Sequence, residues 1–192
     1  MKSSSRSPLK GKTVLLGLTG SIAVYKSCEL VRRLNDEGAR VFCLMTEGAQ
    51  KFVSSLTFGA LSGNPVASDV WDGSLWKMAH LDLAEKARLY VISPASSHCL
   101  ARLASGMADD IVSATALATK APILVAPAMH ENMWLHPATQ ENVRRLKSYG
   151  TRFVGPEHGP LSGGAPGWGR LAETPAIIEA AKSLLSGKHR RQ

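Results

Sequence analysis

Short apolar runs rich in β-branched residues recur along this 192-residue chain, at Thr13–Leu18, Val41–Met45, Leu89–Ile92 and Ile123–Ala126, with a weaker one at Arg152–Val154. Each is nearly continuous in apolarity instead of alternating, which is the pattern of parallel strands covered on both faces. Between the runs the period changes to that of a helix. Over 22–37, Val24, Cys28 and Val31 share one face, and Asn35–Gly38 ends the segment. A second helix is predicted over Pro137–Tyr149, with Pro137 suited to a first turn and Gly150 to a stop. Strand and helix alternate throughout, so the expected fold is a single α/β domain with a doubly wound, Rossmann-like parallel sheet.

Two stretches break the alternation. Residues 155–169 are dense in Gly and Pro and have no apolar period; they read as a structureless functional lid closing over a ligand, with a mobile linker as the alternative. Residues 64–77 place Trp71 and Trp76 among polar neighbours. The layout predicted is a basic tail at 1–9, a domain at 10–186 with a flap at 155–169, and a second basic tail at 187–192.

A hydrophobic fraction of 44% is enough to build a core for one domain. The net charge of +8 changes little, because Lys2, Arg6, Lys10, Lys188, Arg190 and Arg191 near the two ends supply six of it. Solvated ends are expected, without nucleic acid as a partner. No run approaches the roughly 20 apolar residues of a membrane helix, and the start lacks the apolar segment of a secretory signal. A cytoplasmic protein with no membrane partner is expected. Cys28, Cys43 and Cys99 are odd in number, widely spaced and set among apolar residues, so buried reduced thiols are expected, with no disulfide or metal site.

The candidate chemistry lies where strands end. Thr13–Leu18 runs into Thr19-Gly20-Ser21 and a helix; such a junction aims backbone N–H groups and the positive end of a helix dipole beyond the sheet, where a phosphate can sit. The spacing is neither that of a dinucleotide fingerprint nor that of a P-loop, and a plain tight turn stands beside the ligand reading. Met45-Thr46-Glu47-Gly48-Ala49 ends the second strand in the same manner. Ser93-Pro94-Ala95-Ser96-Ser97-His98-Cys99 and Ala126-Pro127-Ala128-Met129-His130 follow the next two strands, and two Pro-Ala turns side by side suit a flat ring. His80 precedes the third strand; a lone histidine is more often a surface or core group, although its chemistry suits proton transfer.

Together these segments resemble the flavin-containing cysteine decarboxylases, which include phosphopantothenoylcysteine decarboxylase and the epidermin-type peptidyl-cysteine decarboxylases. The likeness runs from about Lys10 to about Ser186. It rests on Gly20-Ser21-Ile22-Ala23 with Tyr25-Lys26, on His80-x-x-Leu83, on Pro94–Cys99 in place of PASANT, on Gly106-x-Ala108-Asp109-Asp110, on Pro127–Trp134 in place of PxMNxxMW, and on Gly167-x-Gly169-Arg170-Leu171-Ala172-Glu173.

The resemblance implies FMN, with FAD as an alternative, held by Gly20, Ser21, Ile22, Thr46, Ser96, Ser97, His98, Cys99, Ala128 and Met129. It implies His80 and His130 as catalytic residues, and His130, Asn132, Met133, Leu161 and Gly163 as substrate contacts. A homo-oligomer is implied as well, a trimer or a dodecamer of trimers, with the flavin at a subunit boundary. Three positions depart from the family pattern: His98 and His130 stand for asparagines, and Gly163 for a flap cysteine that returns a proton in the pantothenoyl enzymes. The missing thiol favours oxidative decarboxylation of a C-terminal peptidyl cysteine to an ene-thiol, as in aminovinyl-cysteine biosynthesis. The alternative is phosphopantothenoylcysteine decarboxylation in coenzyme A biosynthesis. Two lesser readings are a non-catalytic flavin-binding regulatory subunit and a flavin prenyltransferase.

Overall fold

The computed structural model describes residues 7–71 and 78–187. Trp76 and the tail residues Lys2, Arg6, Lys188, Arg190 and Arg191 lie outside the described residues. Five strands, β1 (Thr13–Leu18), β2 (Arg40–Met45), β3 (Leu89–Ala95), β4 (Ile123–Pro127) and β5 (Arg152–Phe153), form one parallel sheet in the order β2-β1-β3-β4-β5. All five begin within one residue of the apolar runs that predict them.

The continuous apolarity has the anticipated cause. Alternate residues of each central strand face two separate cores: Leu16 and Val91 belong to one, Leu15, Tyr90 and Ile92 to the other. The first core is closed by α1 (Ser27–Asp36), α3 (Ser55–Ser62) and α9 (Thr174–Leu185). The second is closed by α4 (Ala79–Lys86), α5 (Ser97–Ser105), α6 (Ile111–Ala118) and α8 (Pro137–Ser148). Two short helices, α2 (Glu47–Gln50) and α7 (Glu131–Leu135), follow β2 and β4 at the carboxyl edge. The sheet order reverses between β1 and β3, which is where open α/β sheets leave a crevice.

Gly17 is part of this packing and not of a phosphate turn. A Cβ there would lie 2.9 Å from the Tyr90 hydroxyl, and that hydroxyl donates to the Val112 carbonyl at 3.0 Å. Tyr90 thereby ties β3 to α6. Tyr90→Phe is expected to lower unfolding stability by about 1 kcal/mol in urea titration, with flavin content unchanged.

Three expectations about local structure are corrected. The segment predicted as one helix over 22–37 starts as a 3-10 turn, Ile22–Lys26, before α1. The tighter turn suits a helix start, and the Ser27 hydroxyl donates to the Ser93 carbonyl at 2.7 Å, pinning the junction to β3. The segment expected to lack regular structure is an antiparallel hairpin, β6 (Glu157–Pro160) with β7 (Pro166–Arg170). Its ladder is made by backbone, so glycines and prolines hide it from any apolar period. Cys43 and Cys99 are buried, but Cys28 is only half-buried, because α1 turns it toward the edge of the core. Burial pushes the Cys43 thiol up to about 12 and raises that of Cys99 further.

Candidate functional site

At the carboxyl edge, over the β1/β3 switch point, lies a cavity of about 540 Å³, within the usual range for small-molecule sites. Its floor is made by chain turns tied to one another. Thr19, buried after β1, donates its hydroxyl to the Pro94 carbonyl at 2.7 Å and accepts the Ser96 N–H at 2.9 Å. The Ala128 N–H donates to the Ala95 carbonyl at 3.0 Å, which joins the β3 and β4 ends in the same way.

Each turn enters its helix through a side-chain cap that frees the other N–H groups of the first turn. Ser21 accepts from the Ala23 N–H at 3.4 Å, Thr46 from Ala49 at 3.2 Å and Ser96 from Cys99 at 3.2 Å. Gly20 and Gly48 face one another across two of these turns; a Cβ on Gly20 would lie 3.3 Å from the Gly48 Cα. Only glycines let the two backbones close this cradle.

Of the residues expected to hold the cofactor, Gly20, Ser21, Ile22, Ser96, Ser97, Ala128 and Met129 line the cavity. Thr46, His98 and Cys99 do not. Thr46 is a buried cap beneath Gly48, and its oxygen is taken by Ala49. His98 points to solvent, and Cys99, two residues into α5, turns back into the core, as the helical rotation demands.

Of the substrate contacts expected, His130, Met133 and Leu161 line the cavity, while Asn132 and Gly163 do not. Asn132 is exposed, its N–H donated to His130 Nδ1 at 3.2 Å. Gly163 sits at the hairpin tip, where even an added Cβ would meet nothing within 4 Å. The bond from Asn132 puts the proton of a neutral His130 ring on Nε2. His80, near the start of α4, does not border the cavity of its own chain, and its Nδ1 is buried with no partner among the described residues.

Sequence reasoning left out several lining residues. Tyr25, Lys26, Gly169 and Arg170 stand in motifs that had been matched but not assigned, whereas Phe52 and Ser162 carried no signal. The charge is one-sided. Among the described residues Lys26 and Arg170 line the cavity and no carboxylate does; Arg170 pairs with Glu173, and Lys26 has no ion pair there. An anion therefore suits this cavity. Ile22, Phe52, Met129, Met133 and Leu171 give it apolar surface for a flat ring. The Gly20–Gly48 cradle and the capped helix starts fit a flavin mononucleotide's phosphate.

Comparison with known proteins agrees with this geometry. Residues 2–186 match the flavoprotein family. The coenzyme A biosynthesis bifunctional protein CoaBC of Mycobacterium bovis is 45% identical over 174 residues, covering 91% of this chain and 41% of that protein. CoaBC of Escherichia coli is 42% identical over 179 residues, covering 93% of this chain and 44% of that protein. The chain thus spans less than half the length of these relatives.

Among solved structures, the FMN-dependent cysteine decarboxylase SpaF superposes with a TM-score of 0.81 at 28% identity, covering 94% of this chain and all of that one. A PPC decarboxylase variant complexed with pantothenoylaminoethenethiol gives 0.79 at 25% identity, covering 93% of this chain and all of that one.

The chain belongs to the flavoprotein family, and the likeness to flavin-dependent cysteine decarboxylases read from its motifs stands. The expectation of a peptidyl-cysteine substrate does not. Relatives 39–45% identical are CoaBC proteins, whereas SpaF stands at 28%. That expectation rested on the missing thiol at Gly163, and an absent side chain selects no substrate.

Proposed function

We propose that this chain is an FMN-dependent decarboxylase of phosphopantothenoylcysteine, giving phosphopantetheine for coenzyme A biosynthesis. The identity of 42–45% to CoaBC proteins over more than nine-tenths of the chain carries this reading. Bound FMN would supply reversible oxidation at the sulfur-bearing carbon, creating a C=S group that can accept the electrons released with CO2.

The chain's own residues bind, orient and manage protons. Gly20 and Ser21 hold the phosphate at the cradle, and Ser96, Ser97, Ala128 and Met129 flank the ring. The His130 Nε2–H donates to the substrate carboxylate, taking the place of an asparagine N–H, while its Nδ1 caps α7. Leu161 and Met133 shield the reacting carbons from water.

Lys26 gives the phosphorylated substrate an advantage that a peptide lacks. Lys26→Gln is expected to raise KM for phosphopantothenoylcysteine at least about tenfold, the scale of one charge-assisted hydrogen bond, and to leave KM for the dephosphorylated compound nearly unchanged.

His80 acts from a neighbouring protomer of a homo-oligomer, taken to be a trimer. Exposed apolar groups support such an assembly, Tyr25 and Phe52 in the cavity lining and Met78 and Leu81 next to His80 in the chain. The deciding experiment is mass spectrometry of purified protein with phosphopantothenoylcysteine and, separately, with a peptide ending in cysteine. Loss of CO2 alone from the first, and no change in the second, is expected. A preparation that is colourless and takes up no FMN would overturn the reading.

A further inference from the structure

The hairpin bordering the cavity is fastened more firmly than a swinging lid would be, and one side chain stands out in that fastening. Glu131 opens α7, next to His130, and its Oε1 accepts the Trp168 N–H at 2.8 Å. Two residues earlier, the Met129 N–H donates to the Gly169 carbonyl at 3.0 Å. Two points of attachment, Met129 and Glu131, thus grip adjacent residues of β7, Gly169 and Trp168. Neighbouring glycines record how close the approach is. A Cβ on Gly167 would lie 3.0 Å from the Glu131 Cδ, and one on Gly169 would lie 2.1 Å from the Met129 carbonyl oxygen. Gly169 also has φ of +127°, a conformation that side chains other than glycine's rarely tolerate.

We infer that Glu131 is a positioning residue that latches β7 to the turn carrying His130, so that the two walls at the substrate end of the cavity are set as one unit. Met129, His130 and Met133 form one wall; Leu161, Ser162 and Arg170 form the other. The far side of the hairpin base is held independently, by the Arg170–Glu173 ion pair and by the Glu157 carboxylate accepting the Glu173 N–H at 3.2 Å.

With both sides of the base tied down, opening is confined to the tip, residues 161–165. There the turn closes on itself alone, through the Gly164 N–H to the Leu161 carbonyl at 2.8 Å and the Leu161 N–H to the Ala165 carbonyl at 3.2 Å. The lid anticipated from sequence is thereby reduced to its tip. What Glu131 contributes is an acceptor oxygen at the right place, which a glutamine also has and an alanine lacks.

The kinetic part of the test rests on the proposed reaction; the proteolytic part does not. Flavin-loaded wild type, Glu131→Ala and Glu131→Gln are compared in steady-state turnover of phosphopantothenoylcysteine and in limited trypsin digestion read at Arg170. In wild type, Arg170 pairs with Glu157 in the β6–β7 ladder and should resist cleavage. For Glu131→Ala, cleavage at Arg170 is expected to quicken and KM to rise, each by about tenfold, with flavin content and kcat close to wild type. Glu131→Gln is expected to restore both.

Wild-type resistance and KM in the alanine variant would overturn the inference, as would a glutamine variant as impaired as the alanine one. A wild-type protein that does not turn over this substrate counts against the proposed function. Digestion then decides the latch alone, with faster cleavage in Glu131→Ala supporting it and unchanged cleavage refuting it.

Discussion

Ser21→Asp is expected to yield a folded, colourless protein. Ser21 occupies the extended cap position, with φ of −130° and ψ of 143°, and lines the cavity beside the Gly20–Gly48 cradle. Aspartate caps a helix as well as serine does, so the substitution keeps the local fold and adds only charge. Two unit charges about 4 Å apart repel by about 4 kcal/mol at an effective dielectric of about 20. That corresponds to a loss of roughly a thousandfold in affinity for a phosphate. Visible absorbance and the FMN released on denaturation measure the effect, and thermal unfolding checks the fold. Ser21→Asn, a neutral cap of the same shape, should stay yellow. If the aspartate variant keeps full flavin content, the phosphate lies elsewhere.

The reach of the sequence follows from what each feature depends on. The strands were legible because a two-sided core demands apolar residues at successive positions, and Val14–Leu18 and Leu89–Ile92 meet that demand almost without interruption. The β6–β7 hairpin was not, since its ladder is made by backbone among glycines and prolines and its placement by contacts with Met129 and Glu131, residues far away in the chain. The same division runs through the site. Residues at strand ends, such as Gly20, Ser21, Ser96 and Ala128, line the cavity because a parallel sheet puts every such end on one edge. Cys99 and His98 fall outside the cavity lining because a motif names consecutive residues, whereas a helix turns each successive one by about 100°. Thr19, which bridges β1 and β3, stood in a matched turn without an assigned role, and Phe52 had no motif to mark it. The substrate preference was the least legible part, for it was inferred from a missing thiol at Gly163 instead of from a group present.

His80→Ala is expected to keep its flavin and to lose turnover by about a hundredfold to ten-thousandfold, the range associated with a positioned acid–base group. The structure sharpens this into a test of assembly. His80 lies in α4, which packs on α6 at one side of the sheet, and does not reach the cavity of its own chain. Its Nδ1 is buried with no partner among the described residues, and a buried polar atom left in that state is costly. A neighbouring protomer or its bound substrate would supply what the atom lacks. If the cavity of one protomer is served by the histidine of the next, two dead variants should rescue each other. Ser21→Asp lacks the phosphate site and retains His80, whereas His80→Ala has the opposite defect. Unfolded together and refolded as a mixture, they should regain a fraction of wild-type activity. That activity should vanish when either partner is diluted to a trace and should accompany mixed oligomers in native mass spectrometry. Mixed oligomers that form yet remain inactive would place His80 outside the shared site, and turnover equal to wild type in His80→Ala alone would reduce it to a structural group.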